Sequence, residues 1–496
     1  MTERAVLIEG GCVYPADSSD TVIARGSVLV VGERIAAVGS VEEVRSAVAA
    51  LDVAVRDELE VVDAHAMMVL PGLVNGHWHD MFAMGFPLRG ALRPAADRAD
   101  EIGFFGGGGD MHTISRTFDS FDGLIAGLTP DEAYAIAQYS LWTQLRGGVT
   151  TIGDVGSLNR PHDMVRAALD LGIRFSATTW AGDAVCPPGG DRYERTRDTE
   201  TVLSAVEDLL RQCDSDTTGR VRCRPSIAYV TNMTDELGFG FAELVRRHDV
   251  GFATHVGAVR NEPEVLRTFY GTTGVRRLHD LGLLTGKLMA AHCAFVDEEE
   301  QRLLLEAGVH ISHSPGKYGP AGESTLSETG VVPALRRAGL DVSLSTDGAS
   351  LPNAGMAETM RAAWLTYNEM AASQIEVLPT DALAMATRIA AKGLQWSDEI
   401  GSLEPGKQAD LVLVRTDDWR YLLNPRPLES FLWLGGSADV DTVMVAGRTL
   451  IAGGEPVGHC FAELRDRYLD ALGSFTTRCL RVPGDVVDGI LSGVAR

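Results

Sequence analysis

Strand-like and helix-like segments alternate from Leu73 to Ser345, and that rhythm leaves the chain few folds to choose from. The apolar run Met67 to Leu70, with Leu73 and Val74, leads into a first strand that ends at His77 and His79. Residues 149–155, 174–179, 221–230, 250–256, 287–292, 309–313 and 341–345 read as seven more strands. Helical patterns return the chain between them. One starts with a full set of signals: Thr129 as cap, Pro130 at the first helical position and Glu132 three residues after the cap. Strands that alternate with helices imply a parallel sheet, and eight such units fit a closed (β/α)8 TIM barrel of the α/β class over residues 69–403. Both ends are β-rich instead, at 5–8, 27–31 and 34–38, then at 409–414, 440–445 and 449–451. The expectation is one small β-sandwich built from residues 1–68 and 404–460, followed by a partly helical extension over 461–496.

Apolar residues make up 45 % and charged residues 23 % of the 496, an ordinary globular balance. Lys and Arg number 44 against 68 Asp and Glu, a net charge of −24. Such a surface repels phosphate backbones and anionic lipid, so nucleic acid and membrane are not expected partners. The seven cysteines are widely spaced, odd in number and include no Cys-x-x-Cys, which points to free thiols in a reducing compartment. The opening Met-Thr-Glu-Arg lacks a signal-peptide pattern and no apolar run reaches spanning length, so the expected location is cytoplasmic.

In a barrel the C-terminal ends of the strands converge on one mouth. Here those ends carry His77 and His79, His255, His292, His313 and Asp347. His77 and His79, two residues apart on a strand, point to one side. Polar groups buried together at five strand ends need partners, and a metal supplies them. Three imidazoles and a carboxylate, from His77, His79, His255 and Asp347, suit one divalent ion. Zinc is the first choice, with iron or manganese open. Such an ion lowers the pKa of a bound water towards ~7 and yields hydroxide. Asp347 is expected to take the water's proton and pass it to the leaving group, and His292 to orient the attack. His313, Lys317 and Tyr318, at the next strand end, are candidates for substrate binding, weighed against the plainer possibility of loop residues without a ligand. The Gly-rich run from Phe104 to Asp110 and the polar insertion 181–197 are lid or binding loops, or plain surface loops.

These residues stand in runs that resemble the amidohydrolase superfamily: Pro71-Gly72-Leu73-Val74-Asn75-Gly76-His77-Trp78-His79, Thr254-His255-Val256, Ala291-His292-Cys293, Ser312-His313-Ser314-Pro315 and Ser345-Thr346-Asp347-Gly348. Gly401 to Val412, through Pro405-Gly406-Lys407-Gln408-Ala409-Asp410, is equally typical of its return from barrel to sandwich. Within it the chain is similar to the branch of atrazine chlorohydrolase and the cytosine and guanine deaminases. The resemblance implies a mononuclear metal hydrolase that adds water to a carbon bearing a nitrogen or halide leaving group. It also implies a small, nitrogenous, heterocyclic substrate and a homo-oligomer. No lysine ends the fourth strand, unlike the branch whose carbamylated lysine bridges two metals. One departure matters: related deaminases carry Glu three residues after the fifth-strand histidine, and here that position is Ala258. The fourth-strand run 226–230 also lacks the deaminases' histidine pattern. Deamination is the leading expectation. Cyclic amide hydrolysis and dechlorination follow, and an inactive binding or assembly subunit is the non-enzymatic alternative.

Overall fold

Buried on all sides, Leu73–Trp78 is the kind of unbroken strand that only a sheet covered on both faces can use. The computed structural model of the chain describes residues 4–80, 109–180, 182–321, 326–348, 355–422 and 425–494. Strands are numbered along the chain. β1 (Ala5–Val13), β2 (Ile23–Val31), β3 (Arg34–Ser40), β4 (Glu60–Asp63) and β5 (Met67–Pro71) precede β6 (Leu73–Trp78). Then come β7 (Val149–Asp154), β8 (Arg174–Ala177), β9 (Ala184–Val185), β10 (Glu194–Arg195), β11 (Val221–Cys223) and β12 (Ser226–Tyr229). β13 (Phe252–Val256), β14 (Leu288–His292), β15 (His310–His313) and β16 (Val342–Leu344) complete the middle of the chain. β17 (Leu411–Arg415), β18 (Val440–Val445), β19 (Arg448–Ala452) and β20 (Glu455–Pro456) lie near the far end.

The middle strands pair in parallel in two arcs, β6–β7–β8–β11 and β12–β13–β14–β15–β16, with helices returning between them. This is a TIM-barrel-type α/β fold with a second domain. The expected fourth strand, 221–230, is cut in two at Arg224-Pro225. Proline has no N–H to give the ladder and restricts the residue before it, so the strand kinks there. Its first half pairs with β8 and its second with β13, so one short segment of chain serves both arcs. β6 and β16 meet at a parallel bridge between Trp78 and Asp347. The Asn75 side chain ties them further, donating to Thr346 Oγ1 at 2.7 Å and accepting from the Thr346 N–H at 3.1 Å.

Both chain ends share one mixed sheet, in the order β20-β19-β18-β17-β5-β1-β2-β3, with β4 beside β1. β5 sits at its middle, parallel to β1 and antiparallel to β17 from Pro71↔Leu411 to Met67↔Arg415. It therefore crosses the boundary expected between residues 68 and 69. The N-terminal segment is not all strand: Ser40 and Glu43 close a capping box on the helix Val41–Ala49. The sheet is bolted to the middle strands by a buried ion pair. Arg174, at the start of β8, donates from Nε to Asp410 Oδ2 at 2.7 Å and from Nη2 to Oδ1 at 3.0 Å.

Residues 104–108 of the Gly-rich run lie outside the described residues, as does Ala181; the rest of the polar insertion folds into the small β9–β10 hairpin. The helix Phe461–Cys479 packs on Pro130–Arg146, where Tyr468 stacks on Tyr139 with ring centroids 4.4 Å apart. Among the described residues no helix is long and apolar enough to cross a membrane.

Candidate metal centre

Three strand ends deliver four side chains to one point. His77 and His79 flank Trp78 at the end of β6, His255 is the last residue but one of β13, and Asp347 follows β16; all four are buried. One ligand atom from each lies within 4.8 Å of the others. The Nε2 atoms of His77 and His79 are 2.9 Å apart, and each is 3.2 Å from His255 Nε2. Asp347 Oδ1 stands 3.6 Å from His77 Nε2 and 3.4 Å from His79 Nε2.

The protons of two rings can be assigned from what stands behind them. His79 Nδ1 donates to the Gly156 carbonyl and His255 Nδ1 to the Ala228 carbonyl at 2.5 Å. A carbonyl only accepts, so each Nδ1 carries the hydrogen and each Nε2 presents a bare lone pair to the centre. Burial pushes the His77 and His255 imidazoles well below their usual pKa, and that of His79 down as well, so no proton settles there at neutral pH. Lone pairs at this spacing repel unless a cation lies between them. Tetrahedral ligands held at zinc–nitrogen distances sit about 3.3 Å apart. The donor set and its spacing fit a divalent metal ion.

Asp347 is held in an unusual way. Its φ of 58° is a left-handed value that costs a non-glycine residue about 1–3 kcal/mol. Its N–H donates to the His77 carbonyl at 3.0 Å, which anchors the strained turn on β6. Lys317 Nζ donates to Oδ2 at 2.8 Å, leaving Oδ1 to face His77 and His79. Burial alone would raise this carboxyl. The Lys317 ammonium, with His77, His292 and His79 around it, pulls it well below the usual carboxylate range.

His292 ends β14 with φ 73°, followed by Cys293 at 53°, a left-handed pair that turns the imidazole into the mouth. Its Nε2 lies 3.7 Å from Asp347 Oδ2 and its Nδ1 3.0 Å from the Tyr318 hydroxyl. Burial lowers its pKa to about 4. His313 stands one strand further out. Its Nδ1 is 2.9 Å from the Tyr367 hydroxyl, and its buried Nε2 meets no hydrogen-bond partner among the described residues. The strand-end histidines and Asp347 thus converge. Lys317 and Tyr318 reach the same cluster through Asp347 and His292.

Several neighbours escape a reading of the sequence. Trp180 meets His79 edge-on at 5.2 Å, and Tyr229 stacks on His255 at 4.8 Å. Tyr367 lies 54 positions beyond His313, and no local pattern joins them. Glu262, the acid nearest Ala258, is fully buried. Its two oxygens accept the N–H groups of Gly257 at 2.9 Å and Ala258 at 2.8 Å. It therefore braces the turn after His255. Burial raises its pKa to about 7.

The sequence model of the amidohydrolase family matches residues 68–450. A 5-methylthioadenosine/S-adenosylhomocysteine deaminase of Symbiobacterium thermophilum is 31% identical over 418 residues, 83% of this chain and 85% of that one. Two solved structures share the fold. A zinc-bound adenosine deaminase from Xanthomonas campestris superposes with a TM-score of 0.78 at 22% identity, over 95% of this chain and 98% of that one. The zinc complex of atrazine chlorohydrolase TrzN from Arthrobacter aurescens TC1 gives 0.76 at 24% identity, over 94% and 100%.

Proposed function

The chain belongs to the amidohydrolase family, and we propose that it is an aminohydrolase: a metal-dependent hydrolase that removes an amino group, as ammonia, from a small nitrogenous heterocycle. The observation that carries this reading is the buried convergence of three imidazole Nε2 atoms and Asp347 Oδ1 on one point. The deaminase relative supports an amino-heterocycle as substrate.

His77, His79, His255 and Asp347 would hold the ion, with zinc favoured by the nitrogen-rich donor set over iron or manganese. When bound, the ion polarises water and makes it a nucleophile at neutral pH. Asp347, ionised throughout that range, accepts the water's proton and returns it to the departing nitrogen. Neutral His292 orients the attack. Trp180 packs edge-on against the His79 ring and Tyr229 stacks on that of His255, which helps to hold both imidazoles in place. His313 offers to substrate its Nε2, which has no partner among the described residues.

A second reading is favoured by Ala258. A methyl group stands where related deaminases carry a proton-donating Glu, and Glu262 is committed to the backbone. A cyclic amide or a chloro-heterocycle whose ring needs no such proton suits this site. Incubation with panels of amino-heterocycles, cyclic amides and chloro-heterocycles should release ammonia from the first set. Ring-opened product or chloride without ammonia would move the assignment to the second reading. No turnover in any panel, together with a metal-free protein, would favour a binding subunit.

His77→Ala and His255→Ala should each leave a folded chain that has lost its metal. Elemental analysis checks this against wild type, and metal retained at the wild-type level in either variant would overturn the ligand assignment.

The finer architecture is part of the same proposal. The strand shared at Arg224-Pro225 and the Trp78–Asp347 bridge support a closed eight-stranded barrel over 69–403. The terminal sheet, in which β5 runs past the expected bound at residue 68 to Pro71, would fold over with residues 404–460 as a β-sandwich, with 461–496 as an extension. The resemblance supports a homo-oligomer, and the free thiols a cytoplasmic location.

A further inference from the structure

The centre gathers four histidines, yet its geometry asks only three of them to act as ligands. What distinguishes the fourth lies behind the ring. His79 and His255 back onto backbone carbonyls, which fix their hydrogens on Nδ1 and leave Nε2 bare. His292 backs onto a hydroxyl instead, with Tyr318 oxygen 3.0 Å from Nδ1. That oxygen already accepts the Ser314 N–H at 3.0 Å. A hydroxyl that accepts a backbone N–H still has one hydrogen to give, and His292 Nδ1 lies within its reach. In front of the ring, Nε2 faces Asp347 Oδ2 at 3.7 Å. A bare nitrogen there would set lone pair against carboxylate, whereas an N–H is attracted.

We propose that Tyr318 is a positioning residue that locks His292 in its Nε2–H tautomer, so that this ring presents a hydrogen-bond donor to the reacting centre and cannot join the ligand set. Within the cluster a carbonyl stands behind two of the ligands, His79 and His255, and a hydroxyl behind His292, while His77 Nδ1 meets no partner among the described residues. Tyr318 suits the task because its ring is wedged between His292 and His313, with centroids 5.6 and 5.0 Å away, and Lys317 beside it is pinned to Asp347. The chain's own geometry carries the tautomer assignment; its consequence for turnover rests on the metal-hydrolase reading.

The test uses the full-length protein as purified, labelled with [15N]histidine, as wild type and as Tyr318→Phe; His292→Gln assigns the signal. The Phe variant removes the hydroxyl and keeps the wedged ring. Long-range 1H–15N correlation should show His292 with a protonated Nε2 in wild type and a mixed or inverted tautomer in Tyr318→Phe. Metal content should stay unchanged. On the substrate identified by the panels, kcat should fall about 10- to 100-fold, with KM within about twofold. An Nδ1–H tautomer in wild type overturns the proposal, and so does an unchanged tautomer in the variant. A raised KM at unchanged kcat does the same, because it would make Tyr318 a substrate contact. If the protein holds no metal and turns nothing over, the functional reading fails, and the tautomer spectra still decide this inference.

Discussion

Asp347→Asn should leave a folded chain whose turnover is lower by about a thousandfold or more. The substitution keeps the shape of the side chain and removes the charge that three features of the site require. Asp347 Oδ1 faces His77 and His79 as the one anionic donor of the cluster. Oδ2 pairs with the buried Lys317 ammonium at 2.8 Å. The carboxylate is also the proton carrier of the proposed reaction, and loss of a positioned acid–base group alone is worth about 10²–10⁴ in rate. An amide can accept from Lys317 but cannot take up and return a proton. Steady-state rates on the best substrate, circular dichroism and metal content together check the result. An Asn variant within tenfold of wild-type kcat would remove Asp347 from the chemistry. A variant that fails to fold would be followed by Asp347→Glu, which should fold and still lose at least about a hundredfold in rate through misplacement of the carboxylate.

The largest effect on stability is expected far from the mouth. Asp410→Ala should destabilise the protein by about 3–5 kcal/mol, because it strands a buried guanidinium. Arg174 and Asp410 are each only 2% exposed at the side chain, so little water can replace the lost partner. Asp410 Oδ1 also accepts the Ala446 N–H at 2.8 Å, which the truncation leaves unpaired as well. Urea unfolding followed by tryptophan fluorescence measures the loss. A double replacement by apolar side chains, Arg174→Met with Asp410→Leu, should recover part of it, since no charge then remains buried. A loss of less than about 1 kcal/mol in Asp410→Ala would mean that water or another group satisfies Arg174.

The parts of this molecule that could be read from its sequence are those governed by local periodicity. His77 and His79 announce themselves because a strand has a period of two, and the helix at Thr129 because its cap obeys a short rule. The capping box at Thr129 and Glu132 forms as expected. The convergence of His255, His292, His313 and Asp347 follows from one topological rule about strand ends. What could not be read depends on partners distant in sequence. Nothing near Asp347 reveals that Lys317 will hold it, and Tyr367 meets His313 from a helix that carries no chemical signature. Arg174 and Asp410 are separated by 236 residues. Residues 221–230 read as one strand in the sequence, and only the ladder registers show Pro225 dividing it between two pairing partners.

The placement of β5 between β1 and β17 has a consequence for how the chain is made. A ribosome delivers residues 67–71 long before residues 411–415, and at about 5–20 residues per second the wait is roughly 20–70 s. Throughout that interval one flank of β5 has no neighbour and offers open amide and carbonyl groups to any passing strand. A nascent-chain stall placed before residue 411 should therefore yield protein that aggregates or clings to chaperones, and one placed beyond residue 456 should not.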